Sequence, residues 1–226
     1  METMTQQRYA RPAGLSYLLV LAVDIAGLVI TSSIEGNGDF AAAARNVTAS
    51  ETLYRVGLCL ALLGCLLTIP LAIGLFVTLR PANPSLATMG LVFRSAEAAI
   101  GGVGIVGSFA ALGAYLAGSQ TAFESQALGN ASQVAAIFFS TGSTIFFWVF
   151  LKSRYLPRLL SAWGVFASAL YLAYWMATLI APDPPGAVTI VASLPIFVAE
   201  VTTGLWLLIA GVRTAGSPAT AVQLAG

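Results

Sequence analysis

Six apolar runs, each long enough to cross a bilayer and each ended by a short polar break, leave this chain few ways to fold. Inside hydrocarbon every backbone N–H and C=O must be satisfied within its own segment, so runs of this length are expected to be α-helices. They cover residues 14–34, 53–79, 86–117, 131–151, 156–180 and 187–212. Breaks such as Arg80-Pro-Ala-Asn-Pro-Ser85 and Ala181-Pro-Asp-Pro-Pro-Gly186 hold prolines that cannot continue a helix and polar groups that want water. The expected fold class is therefore all-α, a polytopic transmembrane helix bundle of six spans. It forms one domain over residues 14–212, preceded by a cytoplasmic segment (1–13) and followed by a cytoplasmic tail expected to be disordered (213–226). No internal repeat is detectable. Hydrophobic residues make up 58% of the chain and charged residues 8%, against about 25% charged in soluble domains. The first run is too long for a signal-peptide core of about 7–15 residues and ends without a small-x-small cleavage site, so it reads as a span.

The distribution of positive charge sets the orientation. With six spans, Arg8, Arg11, Arg80, Lys152, Arg154, Arg158 and Arg213 share one face with the acid Glu2. Glu35, Asp39, Glu51, Glu124 and Asp183 share the other with Arg45 and Arg55. Bases in short loops mark the cytoplasmic side, so both termini are expected there, in the cell membrane of a bacterium. The loops at 35–52 and 118–130 are long enough to carry short interfacial helices. Asn46-Val-Thr48 and Asn130-Ala-Ser132 match the glycosylation acceptor pattern, which carries little weight in a chain of bacterial style.

Several function classes drop out. A net charge of +1 supplies no field to recruit nucleic acid. Histidine is absent, which removes the usual neutral-pH base and the commonest nitrogen ligand for metals, and no cofactor is expected. Cys59 and Cys65 lie six residues apart in one run, where they cannot face each other and read as small hydrophobes. Gly102-Val-Gly104-Ile-Val-Gly107 matches the dinucleotide fingerprint literally, but it sits inside a continuous span with no preceding strand, and helix packing explains it.

Four charges belong to neither face: Asp24, Arg94, Glu97 and Glu200 all fall inside spans. An ionisable group at a span centre costs about 2.5–3.5 kcal/mol on insertion scales, and such groups normally face the bundle interior. At about 1.5 Å rise per residue, Asp24, Glu97 and Glu200 share one depth near the midplane, with Arg94 one turn away. Gly90, Arg94, Glu97, Gly101, Gly104 and Ser108 repeat at helical spacing on one face of the third span. Ser193, Glu200, Thr203, Gly204 and Gly211 do the same on the sixth, and Tyr17, Asp24, Gly27 and Thr31 on the first. Each charged face is also the small, polar face, which lets a neighbour approach or leaves a cavity. Ser140-Thr-Gly-Ser-Thr144 adds hydroxyls at the same level, and Pro70 and Pro195 free backbone carbonyls that need partners. Three carboxyls around one guanidinium favour a neutral acid, so at least one is expected to hold its proton and act as a donor.

Two further readings stay open. The third span can begin at Ala98, which would place Arg94 and Glu97 at the interface, or the two can form a structural tie at i and i+3. Tyr171, Tyr174 and Trp175 either fill core or line a cavity for an apolar or cationic guest.

Ala49-Ser-Glu-Thr-Leu-Tyr-Arg55, Leu79-Arg-Pro-Ala-Asn83, Phe93-Arg-Ser-Ala-Glu97, Ser153-Arg-Tyr-Leu-Pro-Arg158, and Glu200 followed by Leu205-Trp-Leu-Leu208 together resemble the bacterial membrane family known as domain of unknown function 4386. The resemblance implies a six-helix fold and marks Arg55, Arg94, Glu97, Arg154 and Glu200 as positions of the family pattern. It implies no activity. Asp24 departs from that pattern, which suggests something particular to this member.

Two functions fit these residues. In the first, Glu97 or Glu200 protonates an apolar, lipid-soluble substrate such as an isoprenoid. Asp24 then serves as second acid or final base, Arg94 orients the charge, and Tyr171, Tyr174 and Trp175 bind substrate in the manner of a membrane terpene cyclase. In the second, the same acids bind and release a proton or cation in a small proton-coupled transporter or accessory protein. Six spans are few for a transporter, so a homodimer through the glycine-rich faces is expected there.

Overall fold

The computed structural model describes residues 2–125, 130–182 and 184–213, with side chains described from residue 6 onward. The expected disorder of the tail beyond 213 and the placement of Asp183 lie outside the described residues. Among these residues the regular structure is entirely helical: α1 (Glu2–Glu35), α2 (Phe40–Ala49), α3 (Glu51–Leu79), α4 (Pro84–Leu116), α5 (Gln120–Glu124), α6 (Ala131–Ser153), α7 (Arg158–Ile180) and α8 (Gly186–Ile209). Six of them, α1, α3, α4, α6, α7 and α8, are long and apolar enough to cross a membrane.

The breaks form where local chemistry ends one helix and starts the next. Asn83 caps α4 by accepting from Leu86 N at 2.9 Å, with Pro84 in the first turn, where its missing N–H costs nothing. Asp39 caps α2 in the same way through Ala42 N at 2.8 Å. Gly36, Gly118 and Gly211, all left-handed, end α1, α4 and α8. Arg154 ends α6 at φ 58 without the help of glycine. The loops at 35–52 and 118–130 carry the short helices α2 and α5.

The six long helices close into a ring in chain order. α1 packs on α3, α3 on α4, α4 on α6, α6 on α7 and α7 on α8, and α8 returns to α1. Large apolar side chains such as Leu66, Val92, Val106, Leu159, Ile180 and Ile209 cover the outside, as a hydrocarbon solvent requires. Closure depends on bare backbone: a Cβ at Gly14 of α1 would meet Leu208 N, and would lie 2.7 Å from the Gly204 carbonyl of α8. Gly27 of α1 and Gly57 of α3 make a similar contact on the other side of α1.

The ring has two chemically distinct ends. At the basic end Gln6 Nε2 donates to the Thr78 carbonyl (3.1 Å) and to Tyr155 Oη (2.9 Å), while Gln7 Nε2 donates to the Val212 carbonyl (2.5 Å). These bonds explain why α1 begins at Glu2, well before the apolar run at 14: hydropathy does not register a helix extension held by amides. At the acidic end Ala43, Ala44 and Val47 of α2 pack on Tyr54, Leu58, Leu112 and Tyr115. The Tyr54 hydroxyl there donates to Glu35 at 2.5 Å. The 33 residues of α4 run about 50 Å, more than the roughly 30 Å of hydrocarbon, so helix length remains to carry this cap.

Replacing Gly14 by Leu is expected to force α1 off α8 and cost about 1–3 kcal/mol, as overpacking does, lowering the unfolding temperature in detergent by several degrees. Gly186→Leu, at an exposed position opening α8 where a Cβ meets nothing within 4 Å, is the control and should leave that temperature nearly unchanged.

Candidate functional site

The site is built around Arg94. α4 runs unbroken through it from Pro84, and Arg94 is only 2% exposed, so its side chain faces the bundle interior rather than the surface. Ten residues from Pro84 carry it about 15 Å along the helix, near half the depth of the hydrocarbon. Gly142 of α6 makes room for its stem: a Cβ there would lie 3.0 Å from Arg94 Cγ and 3.2 Å from Cδ. The guanidinium lies over the Phe139 ring, 4.7 Å from its centroid, a favourable cation–π placement.

One turn along α4, Glu97 Oε2 lies 3.0 Å from Arg94 Nη1. Neither atom has a hydrogen-bond partner, nor does Arg94 Nε, so the pair is held by charge and packing more than by directed bonds. Arg94 also lies within Coulomb reach of Glu200, Tyr17 and Asp24. Glu200 of α8 is 6% exposed and its Oε1 is buried without a hydrogen-bond partner, as is the Thr203 hydroxyl next along the same face. Tyr17 of α1 is buried against Gly204 of α8, where a Cβ would lie 3.0 Å from its own. Asp24 lies over Gly64 of α3, so closely that a Cβ at that glycine would collide with the carboxylate.

Asp24 and Glu97 share a cavity of about 380 Å³ between α1, α3, α4 and α6. Thr31, Thr68, Ser108 and Ser132 add hydroxyls to its wall, and Cys65 a thiol. Thr31 lies near the acidic-end terminus of α1 and Ser132 at the start of α6, whereas Asp24 and Glu97 are mid-helix. The cavity thus runs from the centre of the ring toward the acidic end, with the two acids at its inner limit and Arg94 and Glu200 buried behind. Chemically the arrangement can accept a proton or a small polar guest at two carboxyls that share, with Glu200, one fixed cation able to offset one carboxylate. No group of three His, Cys, Asp or Glu among the described residues is arranged to hold a metal ion.

The residues singled out from sequence divide into two sets. Asp24, Arg94, Glu97 and Glu200 come together from three helices, as their shared depth implies. Tyr171, Tyr174 and Trp175 form a separate aromatic group on α7, with ring centroids 5.0–6.3 Å apart. Tyr174 Oη is bonded to Thr189 of α8 at 2.8 Å, and none of the three lines the cavity. Tyr171 meets Phe139 edge-on at 5.9 Å and lies within Coulomb reach of Glu200. The hydroxyl run on α6 also stays out of the cavity: Ser140 and Thr144 donate to carbonyls one turn back, and Thr144 to Ser168 Oγ at 2.9 Å. Of the family-pattern arginines, Arg55 pairs with Glu51 at 2.7 Å on the acidic-end surface, away from the site. Sequence reasoning missed the roles of Gly64 and Gly142 as the spaces that receive Asp24 and Arg94. A glycine inside a span with no partner assigned was the available signal.

The family model described as Domain of unknown function (DUF4386) matches residues 12–211, nearly the whole chain and all of the ring. No curated protein and no solved structure matches it.

Removing one partner of a buried ion pair costs about 3–5 kcal/mol. Arg94→Leu, which also leaves Glu200 and Asp24 without their counter-charge, should lose at least that much stability in denaturant titrations in mixed micelles. Arg94→Leu/Glu97→Leu should recover part of the loss but not all, because two of the acids remain.

Proposed function

We propose that this chain, which belongs to the DUF4386 family of integral membrane proteins, is a small proton-coupled transporter. In it Asp24 and Glu97 exchange a proton as a small polar solute occupies the cavity. The observation that carries this reading is the cavity itself: a hollow with a largely apolar wall, from the acidic end to the centre of the ring, with two carboxyls at its inner limit. Intramembrane acids facing such a hollow are the usual equipment of proton relays. The fixed charge of Arg94 offsets one carboxylate, so one acid of the set can be ionised inside the protein without an uncompensated charge while the others keep their protons. Charge counting over the short loops supports the acidic end as the outside and a cytoplasmic placement of both termini in the cell membrane. The accessory homodimer that six spans call for would use the outward face of α4, where Gly102, Val106 and Gly113 follow one another at helical spacing with no neighbour of their own chain at either glycine.

Acid catalysis on an isoprenoid or another apolar substrate is the second reading. It is favoured by Glu200, a buried carboxyl with an oxygen lacking any hydrogen-bond partner and so suited to donate a proton. Against it, no aromatic ring is among the residues lining the cavity, and Tyr171, Tyr174 and Trp175 stand elsewhere. The cavity beside Asp24 and Glu97 therefore has no π face to shield a carbocation, while Tyr17 and Tyr171 lie within Coulomb reach of Glu200, outside the cavity.

Sealed proteoliposomes holding a pH-reporting dye, challenged with a panel of small polar solutes, test the transport reading. Wild type should show solute-dependent proton entry, and Asp24→Asn and Glu97→Gln should fall to the level of empty vesicles while remaining folded. Full proton entry in both variants would exclude the assignment. Conversion of an added isoprenoid by wild type, lost in Glu200→Gln, would favour catalysis instead.

A further inference from the structure

A second hollow, independent of the acid cluster, lies on the lipid side of the ring. It is a groove of about 820 Å³ between α7 and α8, walled by side chains such as Leu159, Trp163, Thr202, Leu205, Trp206 and Ile209. Its wall is apolar in practice, because the Thr202 hydroxyl turns into its own helix and donates to the Val198 carbonyl at 2.6 Å. Along α8 the groove extends from Ala210 to Val198, about 18 Å at the rise of an α-helix. That is close to the depth of one leaflet's hydrocarbon, about 15 Å. Just beyond the inner end, the Trp163 indole donates to the Pro195 carbonyl at 3.1 Å and ties the two helices together.

The outer end of the groove, at the basic face, is flanked by two guanidinium groups. Arg158 opens α7 between the lining residues Pro157 and Leu159. Arg213 lies over the ring of Trp206, 5.3 Å from its centroid. Both side chains are exposed, and neither forms an ion pair among the described residues. No acidic residue occurs in 153–163 or 205–213 to neutralise them. An apolar slot one leaflet deep, ending at two unpaired cations, is complementary to a molecule with a long hydrocarbon chain and an anionic head.

We propose that this groove holds one acyl chain of an anionic glycerophospholipid from the surrounding leaflet, with the lipid phosphate group held by Arg158 and Arg213. A zwitterionic lipid offers the same chain but leaves the two positive charges without a net negative partner. Bases at this depth attract anionic lipid, and two of them support a preference of the order of tenfold.

Native mass spectrometry of the purified protein, incubated with equal amounts of phosphatidylglycerol and phosphatidylcholine, tests the assignment. Wild type should retain phosphatidylglycerol with about a tenfold preference. Arg158→Gln/Arg213→Gln should bind the two lipids about equally, and Thr202→Phe, which fills the groove, should retain less of both. Arg8→Gln/Arg11→Gln, which removes two exposed bases from the same face of the protein, should keep the wild-type preference. Equal retention of the two lipids by wild type would overturn the proposal, as would an undiminished preference in Arg158→Gln/Arg213→Gln. An equal loss of preference in both arginine pairs would also overturn it, since it would point to the charge of the whole face.

Discussion

A guanidinium buried in a membrane helix must be answered by negative charge, and the rest of this bundle is arranged around that requirement. Arg94 is attached to α4, but its counter-charges come from α4, α8 and α1, so three helices far apart in sequence must converge. α4 packs on α3 and α6 and not on α1 or α8, so these charges face one another across the interior of the ring, whose closure needs the bare backbone contact of Gly14 with Gly204. Gly142 and Gly64 then provide the volume that the charged side chains occupy. Small residues set how closely neighbouring helices pack. Buried ion pairs are poor sources of stability compared with well-packed apolar groups of the same size. The presence of four ionisable groups in this interior therefore argues for a use beyond holding the helices together.

Most of the architecture was legible because the bilayer is a strict solvent. Six runs of about twenty or more apolar residues allow only helices, and prolines and a capping asparagine at 80–85 mark the break before α4 within two residues. The convergence of Asp24, Arg94, Glu97 and Glu200 was legible for the same reason, since charges at span depth have nowhere to go but inward. Depth and phase along a helix can be read from one sequence; the neighbour a face meets cannot. Tyr171 and its companions have a suitable depth, yet α7 is not among the helices that wall the cavity. Ser140 and Thr144 have the right level, yet their hydroxyls are satisfied within or beside their own helix. The early start of α1 was hidden because it depends on amide bonds from Gln6 and Gln7 to residues distant in sequence.

The absence of aromatic rings from the cavity wall shifts the weight of the chemistry. A carbocation enzyme needs its proton donor and its π faces around one substrate, whereas a proton carrier needs acids, a counter-charge and an approach to them. The cavity offers carboxyls at its inner limit and a cation behind, although the hydroxyls of Thr31, Thr68 and Ser108 on its wall donate to carbonyls of their own helices. Asp24 is one of the two acids that face the cavity, so it stands where a substitution would alter what is bound.

The central claim is that polar access from the acidic end reaches the acid pair. Cysteine accessibility in sealed, oriented vesicles measures it most directly, using Ser108→Cys on a background of Cys59→Ser and Cys65→Ser. A small, membrane-impermeant cationic thiol reagent added on the acidic side should modify Cys at position 108, and Asp24→Asn/Glu97→Gln should slow that reaction by removing the negative charge beyond it. Modification from the basic side alone, or none from either side in a folded protein, would contradict the account.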